Sequence, residues 1–163
     1  MVERVAFNVA AYERRVKSGG CFICSFINGE PGSEHEELLY ADNAHVAFLS
    51  RYPTLRGYAL VAPRRHLEDI VRDLAQDDYI AMQAVVYRVA CAVNEVVPTE
   101  RTYVMSLGSM QGNAHIHWHI APLPPGVPYR QQQYHALMAE NGILQQTPTE
   151  TAELGAAIRS AMR

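Results

Sequence analysis

Three of the seven histidines in this 163-residue chain sit at alternate positions of one decapeptide, "NAHIHWHIAP", Asn113 to Pro122. On an extended strand, side chains two apart share a face and lie about 6.5–7 Å from one another. His115, His117 and His119 therefore line one face, and Ile116, Trp118 and Ile120 line the other. The apolar side reads as core, so the imidazole side faces a cleft or a partner. Two histidines on a strand face are ordinarily polar surface. A third, preceded by the loop "GSMQGN" with Gly108, Ser109 and Gly112, points to function. Glycines there let backbone N–H groups come close to an anion. Neutral imidazole is both a nucleophile and a metal ligand. A histidine that attacks phosphorus forms a phosphoramidate and splits one hard displacement into two easier ones. A neighbouring imidazolium and backbone N–H groups would stabilise the phosphoryl oxygens. Three adjacent imidazoles do not all protonate at low cost, so mixed protonation states are expected.

A second group with chemical capacity is "CFIC", Cys21 to Cys24. A redox reading wants that motif at a helix N-terminus straight after a core strand. Here the pair follows a predicted helix and Gly19-Gly20 instead. A closed zinc site needs four N or S ligands, of which the two cysteines supply half and leave two histidines to find. Cys91 reads as a small core residue of a long helix. His35 and His135 read as solvated, and His45 opens a strand without an evident partner. Glu34, Glu36 and Glu37 read as an exposed acidic run, and Arg64-Arg65 as a solvated pair.

The elements that must position these residues follow from pattern. Val2, Val5, Val9, Tyr12 and Val16 recur at helical spacing, and "SGG" stops that helix at residues 18–20. "LLYA", "HVAFLS" and "YALVAP" read as short strands separated by Asp42-Asn43 and "RYPTLRG", which suggests an antiparallel meander. His66 is predicted to open a short helix through Leu74. A long helix over 79–97, capped by Asp77 or Asp78, has an apolar face broad enough to cover a sheet. "TYVMSL" and the histidine strand follow, and two C-terminal helices are expected near 131–140 and 150–162. The class is α+β, an antiparallel sheet covered by helices. A hydrophobic content of 48% supports one domain over 1–163, with roughly two-thirds of its unfolded surface buried. The net charge of −3 argues against binding nucleic acid through bulk electrostatics. Neither a signal-peptide core nor a run long enough to span a bilayer is evident, so a soluble, cytoplasmic protein without membrane contacts is expected.

"HIHWHIAP" is similar to the defining motif of the histidine triad (HIT) family, in which histidines alternate with apolar residues. "CFIC", "YADNAHVAFLSRYPTLRGYALVAPRRH" and the triad occur in the family's order, so the resemblance spans roughly residues 20–125. It implies an antiparallel half-barrel with covering helices, usually dimeric. The implied activity is hydrolysis or transfer at the α-phosphate of a nucleotide through a nucleotidyl-histidine. By position, His117 would be the nucleophile, and His119 would contact the phosphate oxygens or the leaving group. Gln111 and Asn113 would lie where the phosphate-contacting loop approaches, and Ser50 and Arg51 where the ribose is contacted. The zinc-bearing branch of the family implies Cys21, Cys24, His66 and His115 as ligands of a structural Zn2+. The chain departs from the commoner pattern in three places: Ser106 replaces an asparagine, the loop before the triad is shorter, and Tyr58 replaces another histidine.

The expected protein is a nucleotide hydrolase or nucleotidyl transferase acting on a dinucleoside polyphosphate or nucleoside phosphoramidate. The galactose-1-phosphate uridylyltransferase relatives carry glutamine where His119 stands, which favours hydrolysis or phosphorolysis here. A metal catalyst using His115 and His117 would leave the cysteine pair unexplained and lacks a nearby acidic ligand. A non-catalytic nucleotide-binding module is the other alternative. The expected core is residues 20–125, flanked by an N-terminal helix over 1–18 and a helical extension over 126–163.

Overall fold

The computed structural model describes residues 4–34 and 36–163. Val2 and His35 lie outside the described residues. Five strands, β2 (Leu38–Ala41), β3 (His45–Leu49), β4 (Ala59–Pro63), β5 (Arg101–Ser109) and β6 (Gly112–Leu123), form an open antiparallel sheet ordered β2-β3-β4-β6-β5. The first three make the expected meander. The β5–β6 hairpin then joins with its second strand inside, which sets the histidine strand centrally and leaves β5 at the edge.

Strand β4 is buried at every position, so its apolar run is continuous rather than alternating. Leu60 pairs with His119 and Val61 with Trp118. The first half of β6 runs past the end of β4, and the Ile116 amide bonds instead to the Leu67 carbonyl at 2.8 Å. That bond holds the segment after β4 beside the start of the triad.

The core has two layers. On one face Val61, Ile116, Trp118 and Ile120 pack against Val89 and Val93 of the long helix α4 (Gln76–Val96) and Ile158 of α6 (Pro148–Ala161). On the other, Phe48, Leu60 and Leu123 pack with Ile23 of the short helix α2 (Phe22–Ile27). Each such side chain contributes roughly 1.5–3 kcal/mol on burial, far more than intrinsic propensity, so the sheet fixes where the helices lie.

Several boundaries differ from expectation. The N-terminal helix α1 is Val9–Ser18, capped by the Asn8 side chain, and Arg4–Val5 form a strand β1 paired with Ile143–Leu144, β7. Helix α4 starts before Asp77 and Asp78, which lie in its first turn, where their charge opposes the helix dipole. His66 opens no helix. Only Ile70–Asp73 (α3) is helical, because Asp69 caps it and Leu74 is already extended. Near 131–140 the chain forms a single helical turn, α5 (Tyr134–Leu137), flanked by 3-10 turns. The last helix begins early because Thr147 and Glu150 form a reciprocal capping box with Pro148 in the first turn. Cys91 is exposed rather than core. Glu37 pairs with Arg159 on α6, and the Glu36 side chain is 7% exposed, 3.7 Å from Arg51 Nε, so these two are not a solvated run. His45 has a partner that sequence did not reveal: Asp42, three residues earlier, at 3.0 Å. Burial raises the Asp42 pKa, but hydrogen bonds from the His45 ring, Tyr40 and two backbone amides outweigh it and hold the carboxyl low. Among the described residues no helix is long and apolar enough to cross a membrane.

Candidate active site and metal centre

Helix α2 begins at Cys21, whose sulfur accepts the Cys24 amide as an N-cap at 3.4 Å. The pair therefore does stand at a helix N-terminus, but behind α1 rather than a core strand. Its sulfurs meet two histidines. His115 Nδ1 lies 3.4 Å from Cys21 Sγ and 3.6 Å from Cys24 Sγ, and His66 Nδ1 lies 3.4 Å from Cys24 Sγ. All four ligand atoms fall within 4.8 Å of one another. A zinc tetrahedron with Zn–S near 2.3 Å and Zn–N near 2.0–2.1 Å has N···S edges of about 3.6 Å, so the spacing fits. Each histidine also gives its far nitrogen to an oxygen, His115 Nε2 to the Pro63 carbonyl at 2.8 Å and His66 Nε2 to Glu68 at 3.0 Å. Such bonds fix the tautomer that leaves Nδ1 free to ligate. Burial, then the adjacent Cys21, push the Cys24 thiol up to about 11. A cation among the four groups would reverse that by stabilising the thiolates.

The other two triad histidines are positioned differently. His117 is buried, and its Nδ1–H donates to the His115 carbonyl at 2.7 Å. Because that carbonyl only accepts, the neutral ring keeps its lone pair on Nε2. Burial lowers the His117 pKa against the opposing pull of this bond. Phe22 approaches the ring edge-on at 6.3 Å. His119 Nδ1 lies 3.0 Å from the Tyr58 hydroxyl, so Tyr58 contacts the triad directly. Burial pushes the Tyr58 pKa up to about 12, so it stays protonated. His119 Nε2 is buried without a partner among the described residues. An orphaned polar atom in a cleft is what a ligand would satisfy.

Burial, then the neighbouring His117, hold the His119 pKa down at about 3. The imidazolium anticipated beside His117 is thus a neutral ring, able to donate one N–H. An unfolded histidine titrates near 6.5, so between about pH 6.5 and 3 the unfolded chain binds more protons than the folded one. Stability from this group is complete above that window and declines as pH falls through it. The expected result is an unchanged His119 Cε1–H shift between about pH 8 and 5 by NMR, with a falling melting temperature. A His119 titrating near 6.5 in the folded protein would overturn this.

A cavity of about 440 Å³ reaches this face, lined by Phe22, Phe48 and Leu60 and by polar groups from Ser50, Arg51 and Asn113. That is the volume of a small-ligand site. Leu60, cross-strand from His119, and Phe22, against His117, tie it to the triad. Of the sequence-derived contacts, Ser50, Arg51 and Asn113 come together here. Arg51 also donates to the Gly32 carbonyl at 3.0 Å. Gly108 and Ser109 instead line a shallower groove of about 420 Å³ with Ala114 and Ile116, on the strand face opposite the imidazoles. That groove is lined by no histidine. Gly108 still touches the triad. A Cβ there would lie 2.8 Å from the Asn113 carbonyl and 3.6 Å from His117 Cε1, and its φ is +135°. Gln111 is exposed in the hairpin turn, its amide bonded to Ser109 Oγ at 3.1 Å. Ser106 Oγ donates to the His117 carbonyl at 2.7 Å, so it steadies the strand.

Sequence reasoning missed one wall of the cavity. Helix α1 contributes Tyr12, Arg15 and Val16 to it. Tyr12 Oη accepts from Asn113 Nδ2 at 2.9 Å, and a Cβ at Gly112 would lie 2.4 Å from Val16 Cγ1, so only glycine admits the helix there. The signal was present as Tyr12, Arg15 and Val16 on one helical face. Nothing local showed that the face met the histidine strand.

Comparison with known proteins agrees with this fold. An uncharacterized HIT-like protein of Saccharolobus solfataricus is 28% identical over 103 residues, 61% of this chain and 73% of that one. The structure of a hypothetical histidine triad nucleotide-binding protein from Sulfolobus tokodaii superimposes with a TM-score of 0.70 at 23% identity, covering 87% of this chain and 91% of that one. A Zn-bound histidine triad family protein from Mycobacterium smegmatis gives 0.68 at 22% identity, covering 88% and 93%. Both likenesses concern the fold: the α+β class and the open antiparallel sheet under a long helix. The HIT domain family itself matches residues 32–125, more than half of the sequence, and the chain belongs to that family.

Proposed function

We propose that this protein is a nucleotide hydrolase or nucleotidyl transferase that works through a covalent nucleotidyl-His117. Family membership supports nucleotide binding and hydrolase or transferase chemistry at the coarser level. The observation that carries the finer reading is the His117 Nδ1–H bond to the His115 carbonyl, which leaves Nε2 unprotonated, with Phe22 joining the ring to the cavity wall. In the first step the Nε2 lone pair forms a bond to the α-phosphorus. The bond from phosphorus to the leaving group breaks, and its electron pair departs with that group. The phosphorylated ring becomes cationic, and its Nδ1–H bond to the carbonyl strengthens with that charge. His119, with Tyr58 donating to Nδ1, offers its Nε2–H to the phosphoryl oxygens or the leaving atom. In the second step water attacks phosphorus, the N–P bond returns its pair to Nε2, and one proton leaves to solvent. Asn113, Ser50 and Arg51 are assigned to phosphate and ribose.

A structural zinc on Cys21, Cys24, His66 and His115 belongs to this reading. Its support is the tetrahedral spacing and the oxygen partners of both imidazoles. Bound there, it would clamp α2 and the segment after β4 onto β6, and leave chemistry to His117 and His119.

Water is the assigned acceptor, because it needs no binding site beyond hydrogen-bond reach of phosphorus, and Arg64 and Arg65, the basic pair beside His66, do not line the cavity. An activity screen over dinucleoside polyphosphates and phosphoramidates, with mass analysis in 18O water, tests the whole. Label in the nucleoside monophosphate is expected. A nucleoside diphosphate appearing in proportion to added phosphate would make the enzyme a phosphorylase, and absence of turnover across the panel would leave a binding module.

The assigned assembly is a homodimer through the free edge of β5. That edge offers unpaired backbone groups next to exposed Val104 and Leu107, and the flanking helix exposes Ile80 and Tyr87. Combining Val104→Asp with Tyr87→Asp is expected to weaken self-association by on the order of a hundredfold, read by light scattering after gel filtration. A wild-type chain that elutes as a monomer at micromolar concentration would refute it.

A further inference from the structure

Arg15 lines the cavity and, among the described residues, has aromatic faces but no acidic group as partners. Its guanidinium carbon stands 5.3 Å from the ring centroids of both Tyr12 and Tyr52, and no carboxylate among the described residues pairs with it. By contrast, the other cavity arginine, Arg51, is engaged by Gly32 and Glu36. The two tyrosines contact each other edge-on at 5.7 Å, and Phe7 packs on both, so the platform under Arg15 is built rather than incidental. A cation held by aromatic faces loses little rotamer freedom and keeps its N–H donors for a ligand.

The platform also has a defined position relative to the chemistry. Tyr12 is bonded to Asn113, whose carbonyl touches the same Gly108 position as His117 Cε1. Asn113 is held at a φ of +56°, a conformation an Asn tolerates better than most residues. Arg15 is therefore linked, through one tyrosine and one asparagine, to the hairpin that borders the nucleophile. A chain of net charge −3 with an unpaired guanidinium at that place is arranged for extra negative charge on the ligand.

We infer that Arg15 binds the phosphates beyond the one attacked by His117, so that helix α1 selects nucleoside polyphosphates over nucleotides whose leaving group carries no charge. This rests on the nucleotide reading above and adds the substrate class to it. It also assigns a role to a segment that lies outside the family match of 32–125.

The test is a binding ladder in the His117→Ala background, where nothing turns over: AMP and ATP, and GMP and GTP, titrated by calorimetry without divalent metal. Arg15→Ala is compared with Arg14→Ala, which removes the same charge from the same helix at an exposed position outside the cavity. Arg15→Ala is expected to weaken the triphosphates by about tenfold and the monophosphates by less than about twofold, with Arg15→Lys recovering part of the loss. Arg14→Ala is expected to leave both within about twofold. Equal losses for mono- and triphosphate, or no loss for either, would overturn the role of Arg15 while the nucleotide reading stands. Failure of every nucleotide to bind the parent protein would overturn both.

Discussion

Replacing His117 with alanine is expected to reduce turnover by roughly three orders of magnitude or more while nucleotide affinity stays within about tenfold. The asymmetry follows from geometry. His117 is 4% exposed, packed against Phe22 and tied to its own strand through Nδ1, so only Nε2 keeps a free lone pair. The cavity walls, from Phe48 and Leu60 to Ser50 and Asn113, do not include the imidazole. Truncation removes the nucleophile and opens a void the size of a ring, costing stability but no contact that holds ribose or base. His117→Asn is the companion variant, because it fills more of that volume and can keep a bond to the His115 carbonyl without supplying a nucleophile. The wild type is expected to show an acid-labile nucleotidyl adduct on rapid quenching, and both variants are expected to lose it. A variant that kept a tenth of wild-type turnover, or the same adduct at another residue, would move the covalent step elsewhere.

The parts of this site legible in sequence are those fixed by local spacing. Alternation placed His115, His117 and His119 on one strand face and Ile116, Trp118 and Ile120 in the core, and the structure keeps both assignments. The ligand set named by family resemblance meets within one small volume. What sequence hid depends on contacts far apart in the chain. Two-residue β1 has no periodicity to detect and exists because Ile143–Leu144 passes beside it. Cys91 sat in an apolar helical run, yet its position on α4 faces away from the sheet, and a run cannot state which of its sides is covered. In sequence, His66 after Pro63-Arg64-Arg65 reads as opening a short helix through Leu74. Instead Asp69 and Asp73 hold that stretch in extended and turn conformations, and the Leu67 carbonyl takes the Ile116 amide. Those same long-range contacts bring His66 to the cysteines. The aromatic platform under Arg15 joins residues 7, 12, 15 and 52, and only the fold brings them together.

Removing zinc is expected to cost on the order of 4 kcal/mol, roughly 10 °C in Tm for a chain of this length. Cys24→Ser should approach that loss, because a hydroxyl is a poor replacement for thiolate and the N-cap at Cys21 survives it. Cys91→Ala is the control. That thiol is exposed and away from the cluster, so a change within about 0.5 kcal/mol is expected. The large value at Cys24 has a structural source. The four ligands come from the start of α2, the irregular segment after β4 and the first half of β6, the part of β6 that β4 does not reach. Without a cation, two sulfurs and two imidazoles must share a half-buried volume in which ionising Cys24 is disfavoured. The same connection makes the metal matter for catalysis without touching substrate. His115 would ligate through its side chain and accepts the His117 Nδ1–H bond through its carbonyl, so loosening one would loosen the tautomer of the other. Chelation is therefore expected to lower kcat by about tenfold at temperatures where the chain is still folded, with KM nearly unchanged and recovery on adding Zn2+. Protein purified without chelator that carries well under one metal per chain would sink the zinc assignment. So would a Cys24→Ser variant as stable as Cys91→Ala.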